Sequence, residues 1–334
     1  MLPAVLLLIS AGAIYLACEY FVNGVEWLGR KTGVADSAVG SVLAAFGTAL
    51  PETVVTFVAV VFGRDAAQRS IGIGAALGGP LVLATVAYAV VGLSLMATRR
   101  DGVDRPLGID GRRLRRDQFW FLLIFIVKVA LGFVVFSFKP WLGVLFLLAY
   151  VAYLWTELRS PDDEGESEPL EPLKLQPRHS EPTLGAVLLQ TVVALLITFA
   201  ASHVFVTQLE LLAPWLGIPP ALAALLLSPI ATELPETMNA IIWVRQGKLR
   251  LALANISGAM MIQATVPSAL GLLFTPWRFD AVLGLAGVLT AASIFGLWLL
   301  LRRAALTPRR LAAFGGFYLL FAIGVVALWR GGML

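Results

Sequence analysis

Two matching stretches of seven residues hold the side chains in this sequence that are best suited to bind a charged species. Residues 47–53 have the sequence GTALPET and residues 231–237 have the sequence ATELPET, each embedded in apolar chain. Each stretch places a glutamate directly after a proline. A proline removes a backbone donor and locally breaks a helix, and an ionisable residue within a membrane span marks a functional site. We therefore expect broken helices that line an ion site, as in many transporters.

The composition predicts an all-α polytopic membrane protein. Of the 334 residues, 59% are hydrophobic and 14% are charged, with a mean hydropathy of +0.85, whereas soluble domains carry about 25% charged residues. The net charge of +4 does not indicate a nucleic-acid partner, because the Arg and Lys residues lie in loops between apolar runs. The expected partner is the lipid bilayer. The first apolar run lacks a basic leader and a small-residue cleavage site, which predicts a retained helix and not a signal peptide.

Ten apolar runs reach the roughly 20 residues that span a bilayer. They cover residues 3–27, 37–62, 70–97, 117–136, 140–157, 184–212, 219–244, 250–274, 280–301 and 311–329. The polar stretch Ser160–Pro182, rich in Pro, Glu, Asp and Ser, predicts a disordered linker. Its acidic residues lack EF-hand spacing, so a solvated tether is favoured over a calcium site. The chain thus divides into a first half at 1–158, a cytoplasmic linker at 159–182 and a second half at 183–334.

The distribution of positive charge predicts the orientation in the membrane. Loops after odd-numbered runs carry nineteen Lys and Arg residues, and loops on the opposite side carry five. Positively charged loops stay in the cytoplasm. Both termini should therefore lie outside the cell, with the protein in the plasma membrane.

The two halves match beyond the motifs, at a constant offset of 184 positions (236 − 52). The matched pairs are Glu26 with Glu210, Gly33 with Gly217, Arg64 with Lys248, and Gly74 with Gly258. Because each half has five runs, an odd number, the second half must insert with the opposite orientation. The predicted fold is therefore ten transmembrane helices in two inverted five-helix repeats, a fold in which the substrate site lies between the repeats near the midplane.

An inverted repeat would bring Glu52 and Glu236 together across its pseudo-twofold axis. Two carboxylates in a low-dielectric site repel each other, and a divalent cation, monovalent cations or protons can neutralise them. Backbone carbonyls near Thr48 and Thr232 would add oxygen ligands, and carboxylates with carbonyls suit Ca²⁺. The same carboxylates cannot bind a divalent cation and its monovalent replacements at once. Such a site therefore has the chemistry of an exchanger.

The paired motifs resemble the two sequence repeats of the Ca²⁺:cation antiporter superfamily, which includes Na⁺/Ca²⁺ exchangers. The resemblance extends to ten spans, inverted halves, outside termini and a cytoplasmic tether, and so covers nearly the whole chain. It implies that Glu52 and Glu236 are the paired metal-binding glutamates, and that Thr48 and Thr232 mark the carbonyl ligands. It also implies that the first helix of each half is a mobile gate.

The sequence departs from the family pattern at several ligand positions. The small hydroxyl residue that usually precedes Leu/Ile-Pro-Glu is Ala49 in the first copy and Glu233 in the second. The serines assigned to sodium coordination and a later Asn/Asp pair are replaced by Ala75, Ala259, Gly79 and Gln263. Fewer neutral ligands and one more carboxylate leave the counter-ion open between Na⁺ and H⁺. The candidate ion-binding residues are Glu52, Glu236, Glu233, Thr48, Thr232, Gln263, Asn255 and Asn239.

Three further polar residues within spans have two interpretations each. Lys128 is the only Lys or Arg inside a span, and a snorkelling or interhelical structural role is favoured over that of a counter-ion to a glutamate. His203 aligns with Glu19 at the repeat offset, either as a proton relay or as a packed, hydrogen-bonded pair. Asn239, one turn after Glu236, is either a ligand or a helix–helix hydrogen bond.

These observations predict secondary antiport of Ca²⁺, or a related divalent cation, against Na⁺ or H⁺, with no cofactor. The alternative is a cation channel or a non-transporting homologue that kept the fold, and a channel would pass current without requiring a counter-ion. An enzyme is not expected, because the two histidines do not form H-E-x-x-H and no Ser–His or paired-Asp constellation is present. The sequence does not indicate an oligomeric state.

Overall fold

The computed structural model describes residues 2–33, 38–62, 66–98, 104–109, 111–159, 170–212, 226 and 228–332. Regular secondary structure in these ranges is entirely helical, which confirms the all-α class. The α-helices are α1 (Leu2–Thr32), α2 (Ala45–Val61), α3 (Ala66–Val82), α4 (Tyr88–Thr98), α5 (Arg112–Phe133), α6 (Leu142–Arg159), α7 (Leu184–Leu212), α8 (Ser228–Thr232), α9 (Leu234–Arg245), α10 (Leu249–Phe274), α11 (Ala281–Arg302), α12 (Pro308–Ala313) and α13 (Gly315–Arg330). Two π-helical segments, Val39–Ala44 and Leu83–Ala87, precede α2 and join α3 to α4.

Seven helical stretches of the described chain are long and apolar enough to cross a membrane. They are Leu2–Thr32, Gly72–Thr98, Lys139–Arg159, Leu184–Phe205, Leu249–Phe274, Ala281–Arg302 and Pro308–Arg330. The predicted spans at 37–62, 117–136 and 219–244 are mostly helical where they are described but do not reach this criterion of length and apolarity. Residues 219–225 and 227 of the third lie outside the described residues.

Helix α10 forms the centre of the molecule, and small residues let its neighbours approach it closely. At Gly40, an added Cβ atom would lie 2.9 Å from the backbone oxygen of Leu251 on α10. At Gly258, an added Cβ would collide with the backbone of Ser41. The π-helical segment before α2 therefore packs backbone to backbone against α10, which is the kind of contact that glycines allow between membrane helices.

Backbone contacts between loops show which helix ends lie together. At one end, the amide of Leu107 donates to the carbonyl of Leu306 at 2.9 Å, so the loops after α4 and α11 meet. At the other end, the amide of Phe279 donates to the carbonyl of Gly132 at 3.1 Å, so the C-terminal end of α5 meets the loop after α10. These two contacts lie at opposite ends of α5, as expected for loops that follow odd-numbered and even-numbered predicted spans.

Part of the positive charge that the sequence places in loops is held by a buried carboxylate. Glu157, at the end of α6, is fully buried and accepts hydrogen bonds from Arg113 Nε at 2.9 Å and Ser41 Oγ at 3.0 Å. Arg116 also forms an ion pair with this carboxylate. The cluster ties α5 and α6 to the π-helical segment that leads into the first motif.

The expectation of a disordered linker is wrong for residues 170–182, which pack on the end of α1 as an ordered strap. Leu173 is fully buried beside Trp27, whose indole N–H donates to a strap carbonyl at 2.9 Å. Lys31 donates to Glu181 at 2.6 Å, and this hydrogen bond lowers the pKa of the Glu181 carboxyl. Apolar anchors in the linker supply burial that its polar composition conceals. The earlier part of the predicted linker lies outside the described residues.

Candidate ion-binding site

The second motif contains the helix break that its proline predicts. Helix α8 ends at Thr232, and α9 begins at Leu234 with Pro235 in its first turn. Glu233 lies between them with φ −89° and ψ 10°, outside the regular helix. The first turn of a helix tolerates proline because its N–H groups have no partner within the helix. The irregularity is confined to Glu233, since its amide donates to Pro229 O and its carbonyl accepts from the amide of Thr237, each at 3.2 Å.

Glu233 is held by residues from two other helices. Its side chain is fully buried, and Gln263 Nε2 on α10 donates to both carboxylate oxygens, at 2.8 and 2.9 Å. Gly79 on α3 faces the same point, because an added Cβ there would lie 2.5 Å from Gln263 Oε1 and 2.7 Å from Glu233 Oε1. Three positions that depart from the family pattern thus form one contact group.

Glu236 lies in the first turn of α9 and is 1% exposed. Asn255 Nδ2 on α10 donates to the backbone oxygen of Glu236 at 3.3 Å. The thiol of Cys18 on α1 donates to the backbone oxygen of Pro235 with a sulfur–oxygen distance of 3.8 Å. Helices α1 and α10 therefore both contact the backbone of the second motif.

Several buried amide oxygens surround the second motif without a hydrogen-bond partner in the described chain. They are Asn239 Oδ1, Asn255 Oδ1 and Gln263 Oε1. A buried polar atom without a partner destabilises a fold by about 1–3 kcal/mol, so such atoms in a native structure need a reason. Neutral oxygens of this kind are ligands that hard cations accept.

The two motif threonines use their hydroxyl protons within their own helices. Thr48 Oγ1 donates to the backbone oxygen of Ala44, and Thr232 Oγ1 donates to that of Pro229, each at 3.1 Å. The hydroxyl oxygen of each threonine keeps its lone pairs for a further contact.

The first motif differs from the second in backbone geometry. Helix α2 runs without interruption from Ala45 to Val61 and includes Pro51, so the break predicted there is wrong. The irregular backbone lies just upstream, in the π-helical segment Val39–Ala44. The side chain of Glu52 lies outside the described residues, and its approach to Glu236 stays a prediction. Among the described side chains, no group of three His, Cys, Asp or Glu residues could hold a metal ion.

Lys128 takes the interhelical role and does not snorkel. Its side chain is fully buried, and Nζ donates to the backbone oxygens of Ala76 on α3 at 2.8 Å and Gln263 on α10 at 3.5 Å. The ammonium also lies 4.8 Å from the ring centroid of Phe125. A cation over an aromatic face is stabilised by the ring quadrupole. The positive charge is thus surrounded by carbonyl dipoles and one ring.

The predicted pairing of Glu19 with His203 does not occur. His203 is exposed, and the Glu19 carboxylate faces Lys174 of the strap at 3.8 Å instead. The exposed position of His203 puts it outside the buried group around the second motif, so it does not lie in a proton path through that group.

Sequence reasoning missed one buried ion pair near the motif. Glu26 on α1 accepts from Lys248 Nζ at 2.7 Å with both oxygens and from Trp243 Nε1 at 2.8 Å. Glu26 and Lys248 are both positions that the repeat matches, but they come from different matched pairs. The pairing could have been predicted only from information that α1 and the turn after α9 are close in space.

The sequence model of the family described as sodium/calcium exchanger protein matches residues 2–159 and 186–331, which is most of the chain. The chain belongs to this family. The matched ranges include both motifs and every described helix apart from the first two residues of α7. They exclude the whole strap.

Two curated relatives illustrate the breadth of the family. An inner membrane protein of Escherichia coli strain K12, YrbG, is 27% identical over 289 residues, covering 84% of this chain and 82% of its own. The sodium/calcium exchanger MaX1 of Methanosarcina acetivorans is 29% identical over 153 residues, covering 44% of this chain and 38% of its own. These relatives support cation antiport in a membrane as the family-level activity of this exchanger-family chain.

A solved structure of the sodium-calcium exchanger NCX_Mj, soaked with 10 mM Na⁺ and zero Ca²⁺, has the same fold. The two structures superpose with a TM-score of 0.73 over 96% of this chain and 97% of that chain, at 20% sequence identity. At this identity the likeness concerns the fold. The exchanger family thus agrees with the expectation that the chain is a transporter and not an enzyme.

Proposed function

We propose that this protein is a secondary antiporter that exchanges Ca²⁺, or a related divalent cation, for Na⁺ or H⁺ by alternating access. The observation that carries the proposal is the group of buried oxygens around the helix break at Glu233, within a chain of the sodium/calcium exchanger family. Glu233 and Glu236 are both buried there. Two carboxylates that share a low-dielectric site favour a state in which a cation or protons neutralise them.

The ligand set that we propose combines both motifs. Glu52 and Glu236 bind the divalent cation near the midplane, where the two halves 1–158 and 183–334 meet as inverted repeats of five spans each. The buried amide oxygens of Asn239, Asn255 and Gln263 support this assignment, because Ca²⁺ takes six to eight oxygen ligands in a flexible geometry. The backbone near Thr48 and Thr232 supplies further carbonyls.

The identity of the counter-ion turns on Glu233. A serine-sized hydroxyl at this position would be a neutral ligand, whereas a carboxylate can take a proton or balance an additional positive charge. The hydrogen bonds from Gln263 hold the Glu233 carboxylate in one orientation. Exchange against protons would use this carboxylate directly, and exchange against sodium would use it as a charged ligand.

Alternating access requires one group of helices to move past the site. Helices α1 and α7 are the natural moving pair, since they pack along each other over most of their length. At Gly24 on α1, an added Cβ would lie 2.5 Å from Thr191 Oγ1 on α7. Close packing of this kind lets the two helices move as one body relative to the motif.

Uptake of ⁴⁵Ca²⁺ into proteoliposomes tests the proposal, under an imposed Na⁺ gradient and separately under an imposed pH gradient. We expect uptake that requires one of the two gradients, and we expect Glu52→Gln and Glu236→Gln each to abolish it in protein that stays folded. Glu181→Gln, which changes an exposed strap carboxylate, is the matched control and should transport normally.

Other outcomes of this experiment would contradict the proposal. Near-normal uptake by Glu236→Gln would show that the second-motif carboxylate is not the ligand. Calcium current without any counter-ion gradient would favour the channel alternative. No uptake of calcium or of another divalent cation under either gradient would favour a non-transporting homologue.

A further inference from the structure

The two backbone carbonyls that hold Lys128 are those that prolines leave without a partner. In an α-helix the amide of residue i donates to the carbonyl of residue i−4, and proline has no amide proton. Pro80 lies within α3 and Pro267 lies within α10. Their missing bonds free the carbonyl oxygens of Ala76 and Gln263, four positions earlier in each helix.

Both freed carbonyls point to one place between α3 and α10, and the Lys128 ammonium occupies it. The nitrogen lies 2.8 Å from Ala76 O and 3.5 Å from Gln263 O. In the described part of the chain, no carboxylate forms an ion pair with this buried ammonium. Carbonyl oxygens of interrupted helices are the groups with which transporters coordinate monovalent cations. The place that Lys128 fills therefore has the composition of a monovalent cation site.

Gln263 connects this place to the candidate ion-binding site. Its backbone oxygen contacts Lys128, and its side-chain nitrogen donates to both oxygens of Glu233. Gln263 thus contacts both the Lys128 ammonium and the Glu233 carboxylate. Opposite charges interact more strongly through a low-dielectric interior than through water.

We propose that Lys128 is a tethered cation, which permanently fills a carbonyl-lined monovalent cation site beside Glu233 and Gln263. The protein then needs one mobile monovalent cation fewer than it would with a neutral residue at position 128. The transport consequence rests on the proposed antiport, whereas the occupancy of the site by a cation does not.

The test is the binding of sodium to purified protein in which the tethered charge has been removed. Thermal unfolding is measured for wild type, Lys128→Ala and Lys128→Met, with NaCl replacing N-methyl-D-glucamine chloride at constant ionic strength. Without sodium both variants should be less stable than wild type, because two buried carbonyls lose their donor. Sodium should raise their unfolding midpoint by roughly 5 °C more than it raises the wild-type midpoint.

Lys139→Ala is the matched control. The Lys139 ammonium is likewise held by backbone oxygens, those of Val134, Pro276 and Trp277 at 2.8, 3.2 and 2.8 Å. These carbonyls lie in loop chain at the end of the helices, where water can replace the ammonium. Lys139→Ala should therefore lose stability without recovering it in sodium.

A transport measurement separates failure of this inference from failure of the proposed antiport. If wild type exchanges calcium for sodium, the Hill coefficient for sodium should rise by about one in Lys128→Ala, because an emptied site adds one mobile ion. The unfolding measurement stands even if wild type transports no calcium.

Three results would overturn the tethered-cation proposal. The first is an equal sodium response of wild type and both Lys128 variants. The second is an equal response of Lys139→Ala, which would show a general salt effect. The third is failure of both Lys128 variants to fold even when they are expressed and purified in sodium.

Discussion

At the residue scale, the group of Glu233, Gln263 and Gly79 is the most informative part of the site. Each residue taken singly is a departure from the family pattern, and each suggests a loss or gain of one ligand. The structure joins the three, because the Gln263 amide holds the Glu233 carboxylate in space that a larger residue at position 79 would occupy. The three departures from the family pattern therefore lie in one contact group and depend on each other for space.

Gly79→Ala should weaken divalent-cation affinity about tenfold, the effect typical of disturbing residues that orient metal ligands. The added methyl would meet Gln263 Oε1 at 2.5 Å and Glu233 Oε1 at 2.7 Å and displace both side chains. Gly74→Ala on the same helix is the control, since its Cβ would meet nothing within 4 Å. The concentration dependence of ⁴⁵Ca²⁺ uptake measures both. Equal affinities of the two variants would show that Glu233 does not take part in the site.

At the element scale, the helices accommodate their prolines in different ways. In the second motif Pro235 begins α9 after a break, while in the first motif α2 continues through Pro51 and the irregular turn is π-helical. In α3 and α10 the helices continue through Pro80 and Pro267, and Lys128 takes the freed carbonyls. A proline in a membrane helix is tolerated when another group satisfies the backbone.

The ion pair of Glu26 with Lys248 fastens α1 to the turn between α9 and α10. Removing one partner of a buried pair leaves an uncompensated charge, which lowers the free energy of unfolding by about 3 kcal/mol. We expect Glu26→Lys and Lys248→Glu each to destabilise the protein and the double swap to recover much of the loss. Thermal unfolding in a double-mutant cycle measures this coupling.

The exposed pair of Arg30 with Glu181 provides the control for that cycle. Both of its side chains are more than half exposed, and exposed pairs contribute little to stability. Charge swaps there should leave the unfolding midpoint nearly unchanged. A double swap of Glu26 and Lys248 that is no more stable than the two single variants would show that the pair does not couple α1 to α9.

At the scale of the whole molecule, the distribution of Arg and Lys predicts that the loops alternate between two ends of the helices. The meeting of Leu107 with Leu306 at one end and of Gly132 with Phe279 at the other agrees with alternating spans. The arginine-rich end should face the cytoplasm. With the ten predicted spans, this orientation would place both termini outside.

Single cysteines test this orientation, because Cys18 is the only cysteine of the chain. In a Cys18→Ser background, a membrane-impermeant thiol reagent applied to intact cells should label Arg278→Cys and Phe138→Cys. It should label Gln246→Cys and Ala304→Cys only after the membrane is opened. The background variant alone should not be labelled. The reverse pattern would invert the protein in the membrane, and labelling of all four from outside would contradict the alternation.

The sequence by itself determined the helical membrane class, the paired motifs and an irregular helix at the second motif. These features depend on one segment at a time, because the length of an apolar run and the missing amide of a proline are local properties. The resemblance carried by the motifs also predicted the family correctly. The ordered structure of residues 170–182 was not predicted from the sequence. The burial of a few leucines against α1 stabilises this segment although its average composition is polar.

Only the tertiary structure decided which groups meet. Lys128 reaches carbonyls 52 and 135 positions away in the chain, and Glu26 reaches Lys248 across 222 positions. No local pattern specifies such contacts, since they follow from how whole helices pack around α10. The sequence therefore identified the charged residues, and packing determined whether each one faces a carbonyl, an amide or another charge.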